Sequence, residues 1–299
     1  LYGVNKETGY GHKYRSLALA RAAQERGHTV SIASNRNPGN LNPHNFNWYE
    51  VEYLNQSHLV TVLSHAKPDW LIVDLPHTPP SWIREVANCK ICTLNGIGYN
   101  QMEGADLRII QGAAEVNLPG WQDKVPTLKG LEYIILRPEI AKHKGAIRDD
   151  FSLVWGGGVD SLGLLQSYAD WFPNERAFFL VADMTPVPLL KSPSHWLLKL
   201  NQDSDDLLWW LARCKRLVTA FGMIVPEALF LQTPVYSVNA SELHLAFASP
   251  LTEQGLIRNY PMVGLPSYEE IERFLDESFE PVESELIGTE GAVKVMQAI

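Results

Sequence analysis

The opening segment of the chain constrains its fold more than any other stretch. Leu1-Tyr2-Gly3-Val4 reads as a short apolar strand and Thr8-Gly9-Tyr10-Gly11 as a glycine turn. His12 to Arg26 reads as a helix, with Leu17, Leu19, Ala20, Ala22 and Ala23 supplying its packed side. Gly27-His28 ends that helix, and Thr29-Val30-Ser31-Ile32-Ala33 provides the next strand. Glycines let backbone and ligand approach closely, because no Cβ intervenes. The first turn of a helix offers unpaired N–H groups and the positive end of the dipole to an anion. His12 stands at that mouth, placed to exchange a proton with a bound substrate, and is the candidate general base.

The same alternation continues along the chain. Asn35 to Asn47 reads as a loop, Trp48 to Leu54 as a strand and Ser57 to His65 as a helix. Trp70-Leu71-Ile72-Val73-Asp74 is an apolar run ending in an acid. A Pro-rich turn, a helix at Ser81 to Ala87, and strands at Lys90 to Leu94 and Leu107 to Ile110 follow. Gly112 to Lys129 is irregular, and Tyr133 to Leu136 restores a strand. The basic segment Arg137, Lys142, His143, Lys144 and Arg148 marks a junction, giving domains 1–148 and 149–299. A second series then runs from strand Phe151 to Trp155 through Gly156-Gly157-Gly158 to a helix at Ser161 to Trp171. Strand Ala177 to Val181, an irregular Pro-rich stretch, helix Ser204 to Arg213 and strand Arg216 to Ala220 come next. Phe221-Gly222, helix Ile224 to Leu231, strand Pro234 to Val238 and helix Glu242 to Gln254 complete it. The expected fold class is α/β, with two Rossmann-like domains facing each other across a cleft. Ligands of such sheets bind beyond the carboxyl ends of the strands, where the glycine turns lie.

Composition narrows the function classes. The chain has 299 residues, 45% of them hydrophobic, enough for two cored domains. It holds no apolar run near the roughly 18–20 residues that span a bilayer. It opens on a strand with no signal-peptide pattern, and since Leu1 is not a methionine, residues are expected to precede it. Of the net charge of −9, the stretch Ser267 to Glu290 carries −8, with a single helix expected there, on the surface, and its tail a candidate to return to the first domain. The remainder is near neutral, so overall acidity does not exclude an anionic or nucleic-acid acceptor. Three cysteines fit a reducing compartment, and a cytoplasmic location is expected. Cys89-Lys90-Ile91-Cys92 has no second pair or histidine cluster to complete a zinc site and reads as buried strand, and Cys214 as a helix or helix-end residue. Trp209-Trp210 reads as helix packing. No DxD pair stands where a metal would be needed, so neither metal nor cofactor is expected.

Five motifs occur in an order that resembles a known superfamily. They are Gly9-Tyr10-Gly11-His12 with Arg15, Leu71-Ile72-Val73-Asp74, Gly130-Leu131-Glu132-Tyr133 through Leu136-Arg137-Pro138-Glu139, the triple glycine after Trp155, and Gly222 with Glu227-Ala228. The chain is similar in these to the GT-B glycosyltransferases, closest to the UDP-sugar hydrolases of pseudaminic acid synthesis and the N-acetylglucosaminyltransferases that complete lipid II. It departs from the hydrolases in two places. Leu94-Asn95 stands where they carry paired aspartates, and Ser241-Glu242-Leu243 with His244 stands for their Glu-Asn-Gln turn.

The resemblance implies an inverting transfer from a nucleotide sugar, with UDP as the nucleotide and His12 as base. Asp74 is read as orienting His12, binding a sugar hydroxyl, or merely starting a turn. Gly11, Arg15, Gly156, Gly157, Gly158 and Gly222 are the candidate grip on the donor, the glycines through backbone N–H groups near helix N-termini. By resemblance Glu227 holds the ribose, and Glu242 and His244 contact the donor sugar. Arg137 and Lys144 are candidates for an acceptor or anion site. The acceptor is a small glycan, a lipid-linked intermediate or a modified nucleobase in DNA. The alternatives are a UDP-sugar hydrolase with water as acceptor and a non-catalytic nucleotide-sugar binding protein. A dinucleotide oxidoreductase is disfavoured, because a third glycine is missing and Ser34-Asn35 ends the second strand without an acid.

Overall fold

The computed structural model describes residues 1–2, 11–35, 46–52, 55–75, 80–94, 104–112, 125–182, 185–200, 206–276, 279–281 and 287–299. The turn residues Thr8-Gly9-Tyr10, the end of the first expected strand and Asn95 lie outside them. The chain divides into two compact units, Leu1–Arg137 with Gly288–Ile299, and Pro138–Ile287.

In unit 1 the elements are α1 (Gly11–Gln24), β1 (Ser31–Ser34), β2 (Asn47–Glu50), α2 (Gln56–Ala66), β3 (Trp70–Val73), α3 (Trp82–Val86), β4 (Lys90–Leu94), β5 (Leu107–Ile110) and β6 (Thr127–Lys129). β1 pairs with β2, and β3 to β6 form a second ladder, every pairing parallel. Tyr2 joins the two by bridging Ser34 on one side and Asp74 on the other. The order is therefore β2, β1, Tyr2, β3, β4, β5, β6. Helix α1 leaves the Tyr2 segment toward β1, whereas β3 lies on the opposite side. The gap beside Tyr2 is thus the point where the winding reverses, the usual ligand position of an open parallel sheet.

Helices cover both faces of that sheet. Ala18, Leu19 and Ala22 of α1 pack on Cys92, Leu94, Leu107 and Ile109. Leu59 of α2 and Ile83 of α3 pack on Leu71, Val73 and Ile91. Strands buried on both sides read as unbroken apolar runs, and each buried Leu or Ile contributes about 1.5–3 kcal/mol.

Unit 2 contains β7 (Asp149–Trp155), α4 (Leu164–Trp171), β8 (Ala177–Val181), β9 (His195–Lys199), α5 (Asp206–Arg213), β10 (Cys214–Ala220), α6 (Ile224–Phe230), β11 (Val235–Asn239), α7 (Glu242–Glu253), β12 (Arg258–Val263) and α8 (Tyr268–Asp276). Its sheet runs β12, β11, β10, β7, β8, β9, all parallel. The winding reverses between β7 and β10. The turns after these strands contain Gly156-Gly157-Gly158 and Gly222. Beneath them Arg216 joins several elements: it pairs with Glu175 at 2.7 Å, donates to Ser152 Oγ at 2.9 Å and donates to the Leu275 carbonyl at 2.9 Å. Tyr168 donates to the same glutamate at 2.8 Å.

The last helix, α9 (Gly291–Gln297), returns to unit 1, where Ala292 and Val295 join the α1 cluster. Sequence had assigned 149–299 to one domain and 1–148 to the other. The structure moves the boundary to Arg137, because Pro138–His143 packs on α5 and Arg148 donates to the carbonyls of Cys214 (3.1 Å), Leu231 (3.3 Å) and Gln232.

Other expectations change too. Tyr133 to Leu136 is no strand: Leu131–Tyr133 forms a 3-10 turn, and the Ile135 N–H donates to the Gln111 side chain at 3.0 Å. Cys214 opens a strand rather than ending a helix. Helix α8 is not a surface helix only, since Ile271 and Leu275 enter the unit 2 core. Among the described residues no helix is long and apolar enough to cross a membrane.

Candidate functional site

His12 is the second residue of α1, and Asp74 follows the last residue of β3. The Tyr2 bridge brings these two positions together from 62 residues apart. Nδ1 of His12 lies 2.7 Å from Asp74 Oδ1. Arg15, one turn along α1, donates from Nε to Oδ2 at 2.9 Å and from Nη2 to Oδ1. Ser16 Oγ donates to Oδ2 at 3.3 Å. Asp74 is 1% exposed and Arg15 3%, while the His12 side chain keeps 17% of its surface.

This geometry assigns the protons. A carboxylate only accepts, so the hydrogen between His12 and Asp74 belongs to Nδ1, and in the neutral ring the lone pair lies on Nε2. The four donors fill the lone-pair positions of Asp74, leaving none for a sugar hydroxyl. Of the three readings of Asp74, orienting His12 is the one its contacts support. Burial alone would raise the Asp74 carboxyl, but the charge of Arg15, that of His12 whenever its ring is protonated, and the hydrogen bonds of both outweigh it and hold the group well below the usual carboxylate range. Arg15 is thereby engaged with Asp74 instead of standing open for a donor phosphate. Gly11 opens α1 beside the ring.

In unit 2 the glycine turn divides into a closed and an open part. A Cβ at Gly156 would collide with the Asp160 carboxylate, which folds over it. Gly157 has φ +86° and open space around the Cβ position, and the Gly158 carbonyl accepts from Thr185 Oγ1 at 3.1 Å. Asp160 itself has φ +47° and accepts the N–H groups of Leu164 at 2.8 Å and Leu165 at 3.2 Å. The N-terminus of α4 is therefore already capped by the chain's own acid. Two N–H groups of this helix end are thus taken by Asp160 and not left open to a phosphate. Sequence reasoning missed Asp160, which reaches the helix end from four residues before Leu164, with Gly163 in the N-cap position. Burial raises its carboxyl, against the two backbone hydrogen bonds.

The Gly222 turn is open, since no atom lies nearer than 4.0 Å to its Cβ position. Glu227 sits half-buried in the first turn of α6. Glu242 is exposed at the start of α7, whose N-cap Ser241 accepts the His244 N–H. The His244 ring lies 6.3 Å from the Phe221 ring, and its Nδ1 is buried with no hydrogen-bond partner among the described residues. Burial lowers the pKa of this imidazole, which favours its neutral form. Arg137 is buried with its guanidinium 4.7 Å from the Tyr14 ring, and Lys144 is exposed over Phe230 at 5.3 Å. They belong to different units.

Among the described residues no group of three or more His, Cys, Asp or Glu stands where it could hold a metal ion. Cys92 and Cys214 are buried, and burial pushes each thiol up to about 12, so neither is a nucleophile.

The chain matches no protein-family profile and no curated protein sequence. Its fold has solved counterparts. The UDP co-structure of S. aureus MnaA gives a TM-score of 0.68 at 11% identity, over 98% of this chain and 93% of that one. The UDP-GlcNAc 2-epimerase of Methanocaldococcus jannaschii gives 0.61 at 10% identity, over 99% and 97%. MurG of Acinetobacter baumannii gives 0.54 at 13% identity, over 99% and 93%. These likenesses show the fold, an α/β arrangement of two Rossmann-like domains of the GT-B type.

Proposed function

We propose that this chain is an inverting glycosyltransferase that moves a sugar from a UDP-linked donor to an acceptor hydroxyl, with His12 as general base. The observation that carries the reading is the His12–Asp74 pair at the reversal point of unit 1, with Nε2 left as the lone-pair nitrogen of a partly exposed ring. The solved structures sharing the fold, one of them a UDP co-structure, agree with a nucleotide-sugar donor.

In this reading Nε2 takes the acceptor proton as the acceptor oxygen attacks the anomeric carbon. The bond from that carbon to the diphosphate oxygen breaks on the opposite face, and UDP leaves with the electron pair, so configuration inverts. Asp74 steadies the imidazolium that forms. Backbone N–H groups at Gly157, Gly158 and Gly222 receive the departing charge, with Glu227 on the ribose and Glu242 and the neutral His244 on the donor sugar. No metal is assigned a part.

The test is a thermal-shift screen against nucleotides and nucleotide sugars, followed by assays of UDP release with small glycans, lipid-linked sugars and DNA bearing modified bases as acceptors. A UDP-class ligand should raise the melting temperature, since binding stabilises the folded state. Release should require an acceptor and give a product of opposite anomeric configuration. Stoichiometric UDP and free sugar from donor alone, at a high rate, would make the chain a hydrolase.

A further inference from the structure

The Arg15 guanidinium is a buried cation directed at the orienting carboxylate of the base rather than at a ligand. Its Nε and Nη2 reach the two oxygens of Asp74, and Nη2 lies 3.2 Å from His12 Nδ1. Two donors, Nη2 and Nδ1, therefore converge on the same oxygen, Oδ1. A carboxylate facing an imidazole alone favours the protonated ring, because an opposite charge within about 4–6 Å stabilises the charged form. Here that negative charge is already matched by Arg15, and a second proton on His12 would place two cations against one carboxylate. The fork also locks Asp74 in place, and with it the Nδ1–H tautomer.

We propose that Arg15 is a positioning residue that keeps His12 in its unprotonated, Nδ1–H form, ready to accept a proton on Nε2. Among the described residues the charged side chains in contact with the ring are Asp74, at the end of β3, and Arg15, one turn along α1, with the buried Lys13 next to His12 in sequence. Removing Arg15 takes away the cation that matches the Asp74 charge and leaves that charge to the His12 ring.

The inference rests on reading His12 as the base, but its test needs no substrate. Protein labelled with 15N-histidine, with His12→Gln to identify the His12 signals, is titrated by NMR as wild type, Arg15→Met, Arg15→Gln and Arg15→Lys. The wild type should show the Nδ1–H tautomer at neutral pH. Arg15→Met and Arg15→Gln should move the His12 midpoint upward by about one pH unit or more. Arg15→Lys, which keeps the charge, should recover most of that shift, a rescue that a purely structural role does not predict. Unchanged midpoints in the folded variants overturn the proposal. So does a wild-type ring carrying its proton on Nε2, a result that requires no variant to fold. If the midpoints move as expected while His12→Ala retains full turnover, the catalytic reading fails and the role of Arg15 stands.

Discussion

The buried carboxylate of Asp74 accepts hydrogen bonds from three side chains, so replacing it does more than remove a charge. Asp74→Asn puts an amide where His12 Nδ1–H and the Arg15 fork both require an acceptor, and an NH2 group must then face a donor. Removing one partner of a buried ion pair costs about 3–5 kcal/mol. A ring released from its tautomer loses catalysis by about 10⁴-fold where such a dyad is at work. Both losses are expected for Asp74→Asn, read by denaturant unfolding and by UDP release. The acid dependence has a definite sign. The folded-state carboxyl lies below its unfolded-state value, so its stabilisation is complete at neutral pH. It begins to fall once pH drops below about 4, where the unfolded carboxyl takes up protons. The stability gap between wild type and Asp74→Asn should therefore narrow from pH 7 toward pH 2.5, and a gap that widens would contradict the assignment. His12→Ala should lower turnover by about 10²–10⁴-fold, the usual range for a general base, while leaving the UDP-induced rise in melting temperature unchanged.

Helix α4 shows how a local device changes what an element can bind. Its first turn is capped by Asp160, so Asp160→Ala should cost about 1–2 kcal/mol through two lost hydrogen bonds. Asp160→Asn tolerates the left-handed backbone but keeps only one of the two acceptor oxygens and turns its NH2 toward the other N–H, so its stability should fall between wild type and Asp160→Ala. Chemical denaturation of the pair separates the cap from the charge. Gly157→Ala, strained at φ +86°, should cost about 1–2 kcal/mol although nothing crowds its Cβ position. The same scale explains which elements could be read from sequence. β8 was legible to the residue because it is an uninterrupted apolar run, and β4 and β5 were too because their apolar character survives Thr93 in the one and the buried Arg108 in the other. The strands that escaped notice, β6, β9 and β12, all lie at sheet edges. There β6 has only three residues, β9 exposes Trp196 and Leu197 after a run of prolines, and β12 contains Pro261, which an edge tolerates. The site divides in a similar way. His12 and the glycine turns were visible locally, but the hold of Asp74 and Arg15 depends on a pairing through Tyr2 that no local pattern encodes. Asp160 closes over Gly156 through a positive φ that its residue type does not announce.

Over the whole chain, the C-terminal segment decides which unit depends on which. Unit 2 is a continuous stretch, Pro138–Ile287, whereas unit 1 is completed by Gly288–Ile299. The contact is specific: a Cβ at Gly291 would collide with the Ile134 carbonyl, and Val295 is fully buried among Ala18, Leu19 and Ala22 of the helix that carries His12. An ionised or unpaired polar group at Val295 has no partner in that cluster and would incur a desolvation cost of several kcal/mol. Val295→Asp, or deletion of residues 288–299, should therefore loosen unit 1 selectively. Native-state hydrogen exchange is the direct readout, since it resolves opening region by region. Amides of α1, β4 and β5 should lose protection, and those of β7, β10 and β11 should keep theirs. Catalysis should fall with the loss of α1, and if unit 2 holds the nucleotide as proposed, UDP should still raise its melting temperature. Loss of protection in β7 and β10 instead would mean that the segment supports the unit preceding it in sequence, and the division of the chain at Arg137 and Gly288 would have to be redrawn.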